Sequence, residues 1–154
     1  MKIISIIIVV FLVLLIPRFL PANQPTKENK NLGLSNGKLS PCPDKPNCIN
    51  SEYPKKINSY LPAFEFPEKQ NEQIIGLSKT VLEKMGAHII SQNEYYLSAT
   101  FTSALFRFVD DVELRVAPHS HQLHFRSASR MGYSDFGVNR QRIVQFLSLL
   151  KEKL

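Results

Sequence analysis

A chain of 154 residues has room for one domain and a tail or anchor. Its net charge of +6 falls to +4 once residues 1–22 are set aside, since these hold Lys2 and Arg18 and no acid. That surplus is small, and the aromatic residues do not interleave with basic ones in any nucleic-acid-binding pattern, so no nucleic-acid partner is expected.

The chain opens on an apolar run from Ile3 to Ile16, interrupted only by Ser5 and followed by Pro17, Arg18 and Pro21. As a helix it reaches roughly 21 Å, short of a hydrocarbon core of about 30 Å. Two readings of residues 1–22 stay open. They form an uncleaved membrane anchor, extended by Phe19 and Leu20 with Arg18 snorkelling, or a signal peptide cut after Ala22, a poor site because Leu20 is not small. The two cysteines, Cys42 and Cys48, flank a short Pro-rich stretch. A loop closed by a disulfide suits an oxidising compartment, and zinc, the alternative, lacks a second pair of ligands. The expected location is therefore the cell envelope, with an inner-membrane-anchored periplasmic domain or an exported one. The membrane is then a partner through the N-terminal segment.

Residues 23–41 are polar and read as a flexible linker. The remainder, 42–154, is expected to be one domain that begins with an irregular arm carrying Pro43, Pro46, Pro54, Pro62 and Pro67. From about Glu68 to Met85 the apolar residues Ile74, Leu77, Val81, Leu82 and Met85 recur at helical spacing, and Gly86 ends the pattern. The period then becomes two. Ala87–Ser91 and Tyr95–Thr102 predict a hairpin, with Leu97, Ala99 and Phe101 inward. Phe106–Val116 and His121–Ser127 predict two more strands joined by a loop at 117–120. That loop pairs Leu114 with Leu123 and Val112 with Phe125 on the core face, and Glu113 with His124 and Asp111 with Arg126 on the other. A last helix runs from near Val138 to about Lys153 with Ile143, Phe146, Leu147, Leu150 and Leu154 on its apolar stripe. The order predicts an α+β, two-layer fold: a four-stranded antiparallel meander with two helices on one face.

Between the last strand and the last helix lie Arg126, Arg130, Gly132, Asp135, Gly137, Asn139, Arg140 and Arg142. Positive charge in the first turn of a helix is unfavourable, so Arg140 and Arg142 require a compensating carboxylate or a bound anion. One reading is a structural network in which Asp110, Asp111 and Glu113 pair with the arginines. The other is a ligand site for an anion or carboxylate formed by Arg126, Arg130, Arg140, Arg142, Asp135 and Asn139. Asp135 or Asn139 is placed to cap the helix. His119, His121 and His124 invite a metal with Asp110 or Asp111, but His121 and His124 point to opposite strand faces, so neither metal nor cofactor is expected. Ser127 and Ser129 lack the Gly-x-Ser-x-Gly setting of an activated nucleophile.

Three motifs occur in order: Cys42-Pro-Asp-Lys-Pro-Asn-Cys48, Phe108-Val-Asp110-Asp111-Val-Glu113, and Arg126-Ser-Ala-Ser-Arg130-x-Gly132-x-Ser-Asp135-x-Gly137-x-Asn139-Arg140-x-Arg142. Together they resemble the domain-of-unknown-function family 1499 over about residues 39–150. Lys45 and Asn50 depart mildly from the small residues of the family pattern. The resemblance implies an envelope location, through the membrane segments or export signals of family members, and implies no activity. The leading expectation is a non-enzymatic envelope module that binds an anionic small molecule or an envelope protein partner at the arginines. The alternatives are an envelope hydrolase using Asp111, His124 and Asp135 as acid–base groups, and a structural assembly protein marked by an exposed apolar patch.

Overall fold

The computed structural model describes residues 32–154. The expected anchor or signal at 1–22 and the first part of the expected linker, residues 23–31, lie outside the described residues. Among those described, no helix is long and apolar enough to cross a membrane.

A short hairpin comes first, β1 (Leu34–Ser35) with β2 (Lys38–Leu39). Its Leu39 is fully buried, so the C-terminal part of the expected 23–41 linker is instead packed structure. The Pro-rich arm then contributes β3 (Cys48–Asn50) and β4 (Phe64–Glu65). Next come helix α1 (Ile74–Lys84), strands β5 (His88–Gln92), β6 (Tyr96–Thr102), β7 (Val109–Ala117) and β8 (Gln122–Ser129), and helix α2 (Val138–Lys151).

The fold is α+β, with the two helices packed on an antiparallel sheet of six strands. The order across the sheet is β3-β8-β7-β6-β5, and β4 pairs separately with β8. The expected meander of four strands is present as β5–β8, but the sheet is larger because the arm adds two strands to β8. These are two and three residues long and set among prolines, too short to show a period in sequence.

Helix α1 begins at Ile74 rather than Glu68. Pro67 leads into a 3-10 turn over Glu68–Gln70, and the polar stretch to Gln73 has no apolar stripe to press against the sheet. The helix ends as expected at Gly86, whose φ of +92° allows Ala87 N–H to reach Leu82 O at 3.0 Å and Gly86 N–H to reach Glu83 O at 3.0 Å.

The inward face of the sheet places Leu97, Ala99, Val112, Leu114, Val116, Leu123 and Phe125 against Ile74, Val81 and Leu82 of α1 and Ile143, Phe146 and Leu150 of α2. The strand parity is as expected, but the β7–β8 register is displaced by two residues. Leu114 faces Phe125, Val116 faces Leu123, Glu113 faces Arg126 and Asp111 faces Ala128. The loop is 118–121 rather than 117–120. Pro118 starts a 3-10 turn and His121 takes a left-handed conformation (φ +51°), which leaves Ala117 in the ladder opposite Gln122. A shift of two preserves every side chain's face, so the core is unaffected.

Phe146 is fully buried where α2 meets the sheet, so Phe146→Ala is expected to lower unfolding free energy by about 3–5 kcal/mol, read from denaturant melts. A loss below about 1 kcal/mol would mean the helix is not part of the cooperative core.

Candidate functional site

The outward face of the sheet is polar and yet buried. Asp111 and Glu113 of β7 have no solvent exposure. Glu113 accepts hydrogen bonds from Arg126 Nη1 at 3.0 Å, Tyr96 Oη at 2.8 Å and Gly33 N–H at 2.7 Å. Burial, reinforced by the neighbouring Glu113 charge, pushes the Tyr96 phenol well above its usual range, so it stays a donor. Asp111 is gripped in bidentate fashion by Arg130 through Nε (3.0 Å) and Nη2 (2.8 Å), and this hydrogen bonding raises the Arg130 pKa further. Further along the same face, Glu52 pairs with Arg115 and accepts the Leu39 N–H.

A second polar cluster lies on the helix side. Asn139, fully buried, is its hub. Its Nδ2 donates to Asn47 O at 3.2 Å and Ser129 Oγ at 3.0 Å, while its Oδ1 accepts from Arg142 Nη1 at 2.7 Å and from Ser127 Oγ. Arg142 continues to Asp110 Oδ2 at 2.7 Å and lies over the Phe101 ring, 4.5 Å from its centroid. Asn139 therefore does not cap the helix. Asp135 does, since its carboxylate accepts the N–H groups of Gly137 (3.0 Å) and Asn139 (2.8 Å), and Gly137 with φ of +81° makes the required turn.

The four arginines close in sequence are thus divided among three environments. Arg126 and Arg130 serve the outward face, Arg142 the helix face. Arg140 donates to the backbone carbonyls of Asn58 (3.0 Å) and Tyr60 (3.3 Å). Asp110, Asp111 and Glu113 are the ion-pair partners of Arg142, Arg130 and Arg126 respectively. Cys42 and Cys48 form a disulfide with a Cα–Cα distance of 5.7 Å.

The model of the family described as a protein of unknown function, DUF1499, matches residues 38–150. The chain belongs to the DUF1499 family. No curated protein and no solved structure shows significant similarity to it. In this DUF1499 protein the three motifs noted in the sequence meet in space. Asn47 of the cysteine loop, Asp110 of the second motif, and Asn139 and Arg142 of the third share one hydrogen-bond network.

The candidate acid–base residues do not converge. Asp111 stands opposite Ala128 and His124 opposite Arg115, four residues along the strand and therefore roughly 13 Å apart. Asp135 is occupied at the helix start. A Ser51–His124–Glu52 group resembles a triad only superficially. Ser51 Oγ (3.2 Å) and Glu52 Oε1 (3.8 Å) both approach the same Nδ1, whereas a triad uses the two ring nitrogens separately. Ser51 Oγ also accepts the Phe125 N–H at 2.9 Å. Among the described residues no group of three or more His, Cys, Asp or Glu side chains converges as metal ligands.

Glu52, Arg115, Tyr96 and Asn47 were not singled out by the sequence. Strand alternation does place Arg115 and Tyr96 on the face of Glu113, and Asn47 belongs to the cysteine motif, but the position of Glu52, in the irregular arm, has no sequence signal.

Removing one member of a buried ion pair leaves the other charge uncompensated. Arg126→Met is expected to cost about 3–5 kcal/mol, whereas Arg126→Met with Glu113→Leu should recover most of that loss, measured by a double-mutant cycle in urea. A loss in the double variant equal to the sum of the Arg126→Met and Glu113→Leu losses would show that the pair is not coupled.

Burial, followed by the Arg115 charge, holds the His124 pKa below its ordinary value. Lys38 acts in the same direction and Glu52 opposes it, its carboxylate already engaged by Arg115. The unfolded chain therefore takes up this proton first, and stability should fall as pH drops through about 6.5 and below. His124→Asn should flatten that part of the stability profile between about pH 7 and 5. An unchanged slope would place the titration elsewhere.

Proposed function

We propose that this DUF1499 protein is a non-catalytic binding module of the cell envelope. Residues 1–22 either anchor it to the inner membrane or direct its export, and it takes an anionic group, phosphate or carboxylate, in a groove beside the disulfide loop. The Cys42–Cys48 disulfide supports an oxidising compartment.

The observation that carries the reading is a solvent-open groove of about 670 Å³ walled by Pro43–Pro46, by Lys55–Ser59 and by Tyr133. Lys45, Lys55 and Lys56 all line it. Lys56 is paired with Asp44 at 2.8 Å, whereas Lys45 and Lys55 have no carboxylate partner among the described residues. Arg126, Arg130, Arg140 and Arg142 already have internal acceptors, and an engaged guanidinium has fewer donors to offer a ligand. Arg140 contributes indirectly, by holding the carbonyl of Asn58, a residue of the groove wall.

Calorimetric titration of the full chain with hexaglutamate and with inorganic phosphate tests the site. A charge-assisted contact is worth roughly 1.5–3 kcal/mol. Lys45→Glu with Lys55→Glu should therefore weaken binding by at least about tenfold with the melting temperature unchanged. Undiminished binding by this variant would move the site away from the groove.

A further inference from the structure

The loops that leave one end of the sheet carry large apolar side chains into solvent. β6 and β7 are joined by residues 103–108, and β8 leads to α2 through residues 130–137. The two loops are neighbours, because Val109 faces Thr102 in the sheet and its carbonyl accepts the Arg130 N–H at 3.0 Å. The first loop exposes Leu105, Phe106 and Phe108, the second Met131, Tyr133 and Phe136. Phe136 is 92% exposed, Tyr133 71% and Phe106 65%.

Both loops are built rather than loose. Ser103 N–H donates to Phe108 O at 2.8 Å, and Phe108 N–H returns to Ser103 Oγ at 2.9 Å. In the second loop Asn47 Nδ2 holds Gly132 O at 3.0 Å and Ser134 Oγ accepts the Phe136 N–H at 3.2 Å. Hydrogen-bonded loops that hold aromatic rings in water point to a surface that receives them.

Charge selects the kind of surface. Arg107, between Phe106 and Phe108, has no ion-pair partner among the described residues, and Lys45 stands on the adjoining cysteine loop. The nearby acids are engaged, Asp44 by Lys56 and Asp135 by the α2 N–H groups. Apolar and aromatic tips beside free cations match the interfacial zone of an anionic bilayer, where rings sit at headgroup level and cations meet phosphates. The apolar run Ile3–Ile16 would bring the domain there. Residues 17–31 can span up to about 50 Å, enough for either end of the sheet to face the lipid. The tips decide which.

We infer that this end of the domain rests on an anionic lipid bilayer, with Phe106, Phe108, Tyr133 and Phe136 entering the interface and Arg107 and Lys45 meeting lipid phosphates. The inference rests on the membrane-anchored form of the proposed envelope module.

The chain contains no tryptophan, so a single introduced Trp reports one position in the full-length protein. Phe106→Trp, Phe136→Trp and, at the opposite end of the sheet, Tyr95→Trp are mixed with vesicles of phosphatidylglycerol and phosphatidylcholine in equal parts, with and without brominated acyl chains. Flotation reads membrane attachment and emission reads each tip. The expected result is flotation of all three variants, with blue-shifted, bromine-quenched emission from positions 106 and 136 and unshifted, unquenched emission from position 95. Flotation with all three positions unquenched overturns the inference while leaving the anchor intact, and assigns the apolar end to a protein partner. Failure to float overturns both.

Discussion

Two carboxylates without solvent exposure, Asp111 and Glu113, govern the outward face of the sheet. An isolated ionised carboxylate in such a place is costly enough that it must be paired and hydrogen-bonded. Arg126 on β8 and Arg130 just past its end supply the positive charge, and Tyr96 and Gly33 supply further donors to Glu113. Against apolar residues of equal volume such pairs contribute little net stability. Their physical consequence here is register. A slip of β8 by two residues would keep the core face apolar but would carry Arg126 away from Glu113, so the pairs discriminate where apolar packing alone does not.

The same constraint explains why the N-terminal arm belongs to the domain. A charged sheet face open to water would screen these pairs, and the arm closes it. Gly33 reaches Glu113, Leu39 is buried beside Glu52, and β3 extends the ladder at β8. On the opposite side Asn139 joins the cysteine loop to β8 and α2, so one side chain ties the disulfide loop, the last strand and the last helix together. The arginines are consumed in this work. Recognition chemistry falls to the periphery, to the lysines of the groove and the apolar loops, where side chains have no internal obligation.

Much of this was legible in the chain. Period-two alternation from Tyr96 to Ser127 and the helical stripes of Ile74–Met85 and Ile143–Leu154 specified element type and inward faces, because both follow from backbone geometry alone. The β7–β8 register was not legible, since it turns on the conformation of His121 after Pro118, a matter of two residues in one turn. The need for compensating charge around Arg140 and Arg142 was readable from the helix start. The partners that satisfy it were only partly so: Asp110 supplies a carboxylate to Arg142, but Arg140 is satisfied by two backbone carbonyls that no residue type announces.

The sequence by itself determined the fold class, the family and the pairing of the only two cysteines, since each depends on local period, motif or elimination among few residues. Tertiary structure alone decided that four arginines close in sequence serve three separate environments. Strand alternation turns residues of one segment to either face of the sheet, and the following helix carries its own arginines over the opposite side. Proximity along the chain is therefore no measure of shared chemistry in space. The groove and the apolar end are likewise products of assembly, formed where residues distant in the chain are brought side by side by the packing of the arm and the closing of the ladder.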